Sequence, residues 1–271
     1  MKKELIVLSL VIGGLLLGFI IRGLDETLAI VTYVIESDKI SQPVKIAVIA
    51  DLHSCDYGEN QKILVDSIRE EKPDLIVMVG DILDEKLAED NAMIFMEQIG
   101  EAYPCYYVSG NHEYWGGQVE AIKLQIEDYN IQVLEGDHVT LDLAGTRIGI
   151  SGIDDPKVGR EIWDSQLEAA AEGIDTMQYN LLLSHRPEKF EVYNAYGFDL
   201  VISGHAHGGQ WRLPGLINGL FAPNQGLFPA YAGGVYTGGD QQMIVSRGLA
   251  KESTRVPRFY NRPELVMITL N

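Results

Sequence analysis

Five short apolar segments of this sequence are each followed directly by residue types that bind metal ions. The segments read KIAVIA, LIVMVG, CYYVSG, NLLLS and DLVISG, and the residues after them include Asp51, His53, Asp81, Asn111, His112, His185, His205 and His207. Segments of this kind that alternate with helix-patterned stretches are typical of parallel strands joined by right-handed helical crossovers. Because ligands of open α/β sheets bind beyond the carboxyl ends of the strands, we expect these separate loops to meet at one site.

The apolar pattern predicts two sets of strands with helices outside them. In the first half we expect strands at 28–36, 45–50, 75–79 and 105–109, and helices at 59–71, 88–100 and 118–129. The second half is richer in strands, which we expect at 139–143, 147–151, 180–184, 200–203, 241–246 and 265–270, with helices at 160–171 and 188–195. Two sheets packed face to face would use all these elements in one domain, residues 28–271.

Residues 1–24 form a separate apolar segment. Two lysines precede an uncharged run from Leu5 to Ile21, which as a helix would rise about 25 Å, at the short end of what spans a bilayer. No small-x-small cleavage site closes the run, so we interpret it as an uncleaved anchor; a signal peptide, whose cleavage would give a secreted protein, and a buried helix are the alternatives. Basic residues before the run and acidic residues after it favour an internal N-terminus, with the rest of the chain on the extracytoplasmic side.

The charge balance restricts the partners. The formal net charge of −18 over 271 residues argues against nucleic acid or anionic lipid bound through bulk charge. An anionic substrate would need local cations to reverse the field at its site. Bound metal ions would supply them.

Each residue after a strand has an ordinary explanation when it is taken alone. A single Asp there is most often a turn or helix cap, and Asn111 after Gly110 is common turn chemistry. Five of the 6 histidines, however, fall in these loops, and only His138 is interpreted as a surface or satisfied side chain. Carboxylate, amide and imidazole ligands without thiolate suit Mn, Fe, Zn or Co. There are too many ligands for one ion, so we expect two divalent ions about 3.5–4 Å apart, bridged by a carboxylate.

The ordered motifs DLH, GD, GNHE, SH and GHAH resemble those of the calcineurin-like metallophosphoesterase superfamily, over about residues 45–271. The longer stretches GHAHGGQWRLP, GNHEYWGG, VSRGLA and RPELVMITL are similar to its bacterial membrane-associated phosphodiesterases, including UDP-2,3-diacylglucosamine hydrolase-like members. The resemblance implies a four-layer αββα sandwich of two mixed sheets flanked by helices, here preceded by one transmembrane helix.

The resemblance also implies a role for each site residue. One ion would be bound by Asp51, His53 and His207, and the other by Asn111, His185 and His205, with Asp81 bridging the two. His112 would not bind metal but would be catalytic, facing the substrate phosphate to stabilise developing charge or protonate the leaving oxygen. The alternative is that His112 only orients Asp51 or Asp81.

Three positions depart from the common pattern of the superfamily. Glu113 stands where many relatives have Asp, Ala206 where Thr or Ser is common, and Ala250 where Gly is frequent. None of them is an implied ligand. Arg186, next to His185, is interpreted as a surface residue, although contact with a phosphate is the alternative.

The function implied is hydrolysis of phosphate esters by in-line attack of a metal-bridging hydroxide. We expect a phosphodiesterase that acts on a membrane- or envelope-associated substrate, lipid-linked substrates included. A phosphomonoesterase or phosphoprotein phosphatase with the same metals is the alternative, and a non-catalytic binding module is a third possibility. Residues 213–239 contain no charged residue, so they form either a loop folded onto its own domain or an apolar lip that faces the bilayer.

Overall fold

The computed structural model describes residues 2–251 and 256–271. Its α-helices are α1 (Lys2–Gly23), α2 (Lys62–Glu71), α3 (Asp90–Gly100), α4 (Asn111–Trp115), α5 (Val119–Glu127), α6 (Arg160–Glu172) and α7 (Phe190–Tyr193). Its strands are β1 (Ala29–Ile35), β2 (Val44–Ile49), β3 (Leu75–Val79), β4 (Cys105–Val108), β5 (Ile131–Val133), β6 (His138–Leu143), β7 (Thr146–Gly152), β8 (Tyr179–Leu183), β9 (Leu200–Ser203), β10 (Phe221–Ala222), β11 (Gly226–Leu227), β12 (Gly234–Gly238), β13 (Gln241–Val245) and β14 (Glu264–Leu270).

The first large sheet has the strand order β1-β14-β2-β3-β4-β5. Strands β2 to β5 are parallel neighbours, and the C-terminal β14 lies antiparallel to β2 and parallel to β1. All residues of β3 and β4 are buried, as expected for strands that are covered on both faces. The parallel strands end at the same edge, which brings the loops after β2, β3 and β4 together.

The second large sheet has the order β12-β13-β9-β8-β7-β6. Its four central strands are parallel, whereas β12 and β6 at the two edges run antiparallel to their neighbours. The loops after β8 and β9, which carry three of the histidines, therefore leave the sheet at one edge.

Three apolar clusters separate four layers. One contains side chains of both sheets, among them Val48, Val77 and Ile202, and fills the space between the sheets. A second packs the first sheet against α2, α3 and α5, and a third packs the second sheet against α6 and α7. Two mixed sheets flanked by helices are therefore the architecture, and the fold expected from the sequence is confirmed.

The element predictions were correct for most buried strands and less complete elsewhere. The expected helix at 59–71 begins with a 3-10 turn at Glu59–Gln61, and the helix expected at 188–195 is a 3-10 turn at Pro187–Lys189 followed by the short α7. The sequence pattern missed α4, β5, β10, β11 and β12. These are elements of five residues or fewer, too short to show a clear period.

Helix α1 is apolar and exposed along its length. Within Lys3–Gly23, a window of 18 residues has a mean hydropathy of 2.6, so the helix is long and apolar enough to cross a membrane, a test that a signal sequence also passes. The C-terminal end of α1 contacts the segment before β14: the rings of Phe19 and Phe259 lie 5.7 Å apart, and the amide of Tyr260 donates to the carbonyl of Gly23 at 2.6 Å. These contacts fix where the helix leaves the folded part of the chain.

Candidate metal centre

The structure brings the predicted site residues together at the facing edges of the two sheets. Asp51 and His53 follow β2, Asp81 follows β3, and Asn111 begins α4 directly after the loop that ends β4. From the other sheet, His185 follows β8, whereas His205 and His207 follow β9. All seven are buried, and we call this set the metal centre: Asp51, His53, Asp81, Asn111, His185, His205 and His207.

Two overlapping groups of ligand atoms share Asp81. Asp51, His53, Asp81 and His207 offer atoms that all lie within 4.8 Å of one another, and so do Asp81, His185 and His205. Asp81 Oδ2 lies 3.0 Å from His185 Nε2 and 3.7 Å from His53 Nε2. Asp81 is thus the carboxylate that both groups can reach.

The backbone at the metal centre adopts an uncommon conformation. Asp51, His53, Asp81, His205 and His207 all have positive φ values, between 47° and 66°. Such values are uncommon for residues other than glycine and persist only where the surrounding structure imposes them. These sharp turns direct the side chains of the site residues back across the edge of the sheet.

Close backbone approach requires glycine at two neighbouring positions. A Cβ atom on Gly80 would lie 2.6 Å from His185 Nδ1 and 2.8 Å from the Cα atom of Gly110. A Cβ atom on Gly110 would overlap the carboxylate of Asp81. The glycines of the GD and GNHE motifs therefore allow the loops after β3 and β4 to contact each other.

Hydrogen bonds fix which nitrogen of two imidazoles faces the centre. His185 Nδ1 donates to the carbonyl of Val79 at 2.8 Å, and His53 Nδ1 contacts the carboxylate of Asp84 at 3.0 Å. Both partners accept the imidazole N–H, so Nε2 keeps its lone pair. This is the arrangement that orients histidine ligands of metals.

Unpartnered buried atoms fit a metal site. Among the residues that the structure describes, His53 Nε2, Asn111 Oδ1 and His207 Nδ1 are buried without a hydrogen-bond partner. A buried polar atom left without a partner costs about 1–3 kcal/mol, so such atoms are rare unless they serve a ligand. Oxygen and imidazole nitrogen donors without thiolate also fit a first-row divalent cation.

The electrostatics of the centre depend on burial and on the paired acids. Burial lowers the pKa of both His205 and His207 well below the usual value, which keeps these imidazoles neutral. Burial acts in the same direction on His185, but the charges of Asp81 and Asp51 outweigh it and raise the pKa of His185 to about 10. The two acids therefore set the pKa of His185 apart from the lowered pKa values of His205 and His207.

His112 lies beside the metal centre and is partly exposed. Its backbone amide donates to Asp81 Oδ1 at 2.8 Å, and its ring Nε2 lies 3.9 Å from Asp81 Oδ2. Its Nδ1 contacts the carboxylate of Glu85, and the ring of Trp115 lies 4.6 Å from its own. Burial lowers the pKa of His112, opposed by the charge of Asp81. The partner at Nδ1 leaves Nε2 directed to the centre.

The carboxylate of Glu113 supports the backbone at the metal centre. Its carboxylate is buried and accepts from the backbone amides of Asp81, Ile82 and Gly110, at 3.1, 2.8 and 2.8 Å. Burial, together with the charge of Asp81, raises its pKa to about 7. Glu113 thus connects the loop after β3 to the start of α4 and fixes the relative position of these two parts of the centre.

The surface interpretation of Arg186 was wrong. Only 4% of Arg186 is exposed, and its guanidinium makes a two-pronged ion pair with the buried Asp155. Its Nη1 also lies 2.9 Å from His205 Nε2 and 2.7 Å from Asn224 Oδ1. The guanidinium and Asn224 thus hold the His205 ring from the side.

Sequence reasoning missed four residues that hold the centre: Asp84, Glu85, Asp155 and Asn224. Asp84 and Glu85 follow Asp81 within four positions in GDILDE, so their proximity was a usable signal. Asp155 and Asn224 had no such signal, because Asp155 lies 31 residues from its partner Arg186 and Asn224 lies 19 residues from His205.

Comparison with known proteins identifies the class. The calcineurin-like phosphoesterase family model matches residues 44–209, which contain all seven residues of the metal centre. The chain belongs to the calcineurin-like phosphoesterase family and is a metallophosphoesterase, an enzyme that hydrolyses phosphate esters. The family uses a dimetal centre, and the clustered Asp and His side chains here can hold metal.

Its relatives are bacterial. The chain is 31% identical over 233 residues to the uncharacterized metallophosphoesterase YkuE of Bacillus subtilis, covering 83% of this chain and 78% of that protein. It is 28% identical over 235 residues to the phosphodiesterase YaeI of Escherichia coli, covering 84% and 82%.

Solved structures share the fold at low sequence identity. The phosphopantetheinyl hydrolase PptH of Mycobacterium tuberculosis matches with a TM-score of 0.50 and 13% identity, over 80% of this chain and 94% of that one. The NAD nucleotidase NadN of Haemophilus influenzae matches with a TM-score of 0.51 and 16% identity, over 78% of this chain and 46% of that one.

Proposed function

We propose that this protein is a dimetal phosphodiesterase that works at the membrane surface. The observation that supports the proposal is the convergence of two ligand groups on Asp81, from strand ends of both sheets. In the proposed centre, Asp51, His53 and His207 would hold one ion, Asn111, His185 and His205 would hold the other, and Asp81 would be shared by both. The donor set suits Mn, Fe, Zn or Co.

Residues of this centre would hold cations whose chemistry is neutralisation of the phosphate oxygens and activation of a water for in-line attack. The chain supplies the remaining functions. His112 presents Nε2 toward the substrate phosphate, where it stabilises developing charge or gives a proton to the leaving oxygen. Glu85 orients that ring through Nδ1, and Trp115 covers its face.

A membrane location is supported by two exposed apolar features. Helix α1 supplies the anchor in residues 1–24, with the N-terminus inside and the catalytic domain, residues 28–271, outside. The second feature is a set of exposed apolar side chains that we call the apolar rim: Trp211, Leu216, Phe221, Leu227, Phe228 and Val256. Exposed apolar patches of soluble domains mark interaction sites. A substrate in the membrane or envelope, including a lipid-linked phosphodiester, fits this arrangement.

The test combines metal analysis with a pair of esters. The full chain, purified in nanodiscs, is expected to contain two divalent ions per molecule and to hydrolyse bis-p-nitrophenyl phosphate faster than p-nitrophenyl phosphate. The phosphate monoester is the control that separates the alternative, a phosphomonoesterase or phosphoprotein phosphatase with the same centre. Preference for the monoester would favour that alternative, and a metal-loaded protein that hydrolyses neither ester would contradict both.

A further inference from the structure

An apolar pocket lies within the apolar rim. It has a volume of about 280 Å³ and is lined by Gln210, Trp211, Leu220, Phe221 and Val256. Trp211 and Phe221 are 44% and 53% exposed, although both are large apolar side chains. Burying one such side chain contributes about 1.5–3 kcal/mol, so the two side chains, as exposed among the described residues, offer apolar area to a further contact.

Two chain segments connect the pocket to the metal centre. Gln210 and Trp211 follow His207 within four residues, and the carbonyl of His207 accepts from the amide of Gln210 at 3.1 Å. On the other side, Phe221 begins β10, and the turn between β10 and β11 carries Asn224, whose Oδ1 lies 2.9 Å from His205 Nε2. The same short hairpin therefore contacts a proposed metal ligand and lines the pocket.

The pocket is also connected to the membrane helix. The ring of Phe259 lies 5.8 Å from that of Trp211 and 5.7 Å from that of Phe19 in α1. The amide of Arg212 donates to the carbonyl of Phe259 at 2.9 Å, which fixes Phe259 against the pocket segment. A row of aromatic rings thus runs from α1 to the wall of the pocket.

We infer that this pocket binds the hydrocarbon chain of an amphiphilic phosphodiester, which enters from the bilayer while its phosphate lies at the metal centre. The inference rests on the proposed function and names the substrate class for it. A hydrocarbon chain matches the apolar lining, and the position between α1 and His207 matches a substrate with its tail in the bilayer and its ester at the centre. A soluble diester would leave the pocket empty.

The experiment compares two diesters that share a leaving group. p-Nitrophenyl octyl phosphate and p-nitrophenyl ethyl phosphate are given to the full chain in phosphatidylcholine nanodiscs with Mn²⁺, and the ratio of their kcat/KM values is measured. With both concentrations expressed as free ester in water, each methylene that leaves water for the pocket is expected to raise this ratio about fourfold. The variant Phe221→Ser is expected to lower the ratio about tenfold.

Two further variants make the result specific. Leu124→Ser removes a side chain of α5 that is 65% exposed, and it is expected to leave the ratio unchanged. Phe221→Leu keeps an apolar wall and is expected to retain most of the ratio. Simple partition of the octyl ester into the bilayer would raise the ratio equally in every variant, and that result would overturn the inference.

The outcomes separate the pocket from the reaction. Hydrolysis of the ethyl ester without any preference for the octyl ester would leave the proposed function standing and refute the pocket. Failure to hydrolyse either ester would refute the proposed function. In that case calorimetric binding of octyl phosphate against ethyl phosphate still decides the pocket: equal affinities, or an octyl preference that survives Phe221→Ser, would reject it.

Discussion

Two neighbouring regions of the molecule, the metal centre and the apolar rim, differ in burial, in backbone support and in the part of the chain that carries them. The metal centre is buried and joins the strand ends of two six-stranded sheets. The apolar rim is exposed, with Leu216, Leu227 and Phe228 at 85%, 68% and 66%. It lies largely on residues 211–228, whose strands β10 and β11 have two residues each.

The difference follows from what each region has to do. Metal ligation depends on atoms placed within tenths of an ångström, so it needs backbone that packed strands hold in position. Contact with hydrocarbon depends on area rather than angle, so a less regular segment serves equally well. If this comparison is correct, changes at the centre should abolish the reaction with every substrate. Changes at the rim should affect only amphiphilic substrates.

The largest effect is expected from Asp81→Asn, which removes a charge from the one carboxylate that both ligand groups share. Metal content, measured by mass spectrometry, should fall to the background level, and turnover of bis-p-nitrophenyl phosphate should be lost. Asp56→Asn, a change of an exposed carboxylate in the loop after β2, is the control and should keep both. A metal-loaded and active Asp81→Asn protein would contradict the expectation that changes at the metal centre abolish the reaction.

The next effect is expected from His112→Ala. Our proposal is that His112 serves the reaction and not the cations, so metal content should remain while kcat falls by about 10²–10⁴. His138→Ala changes the one histidine outside these loops and should leave kcat unaltered. If metal is lost with His112→Ala, then His112 holds the centre together instead of acting on the substrate.

A smaller pair of effects should separate the two supporting acids. Asp84 contacts His53 Nδ1, so Asp84→Asn should weaken metal affinity by about 10–100-fold. Glu85 contacts His112 Nδ1, so Glu85→Gln should lower kcat with metal affinity unchanged. Metal titration and kinetics on both variants test the split, and identical behaviour of the two would show that the acids work as one network.

The smallest effect concerns the position of the rim. In nanodiscs made with brominated lipid, fluorescence of a protein whose only tryptophan is Trp211 should be quenched, because our proposal places the rim against the bilayer. A protein that keeps only Trp163, which is 5% exposed and packs against the second sheet, should not be quenched. Equal quenching of the two would place the rim away from the lipid, whereas the predicted difference would sharpen the contrast between centre and rim.

The sequence by itself determined the two sheets and predicted the residues that we propose as metal ligands. Each ligand follows an apolar strand directly, and parallel strands end at a common edge, so local pattern and sheet geometry were sufficient. The signal was strong because five of the 6 histidines occupy such loops. The apolar character of residues 213–239 was also evident from the sequence. The sequence did not determine whether these residues fold onto the domain or are exposed.

Only the tertiary structure decided which groups support the ligands. Arg186 is next to His185 in the chain, yet it is buried because Asp155, 31 residues away, meets its guanidinium. Asn224 reaches His205 across 19 residues, and Phe259 joins α1 to Trp211. The physical reason is that the position where a strand ends depends on residues that are adjacent in the sequence. The partner of a buried charge or an exposed ring is instead specified by how distant loops pack, which no local period encodes.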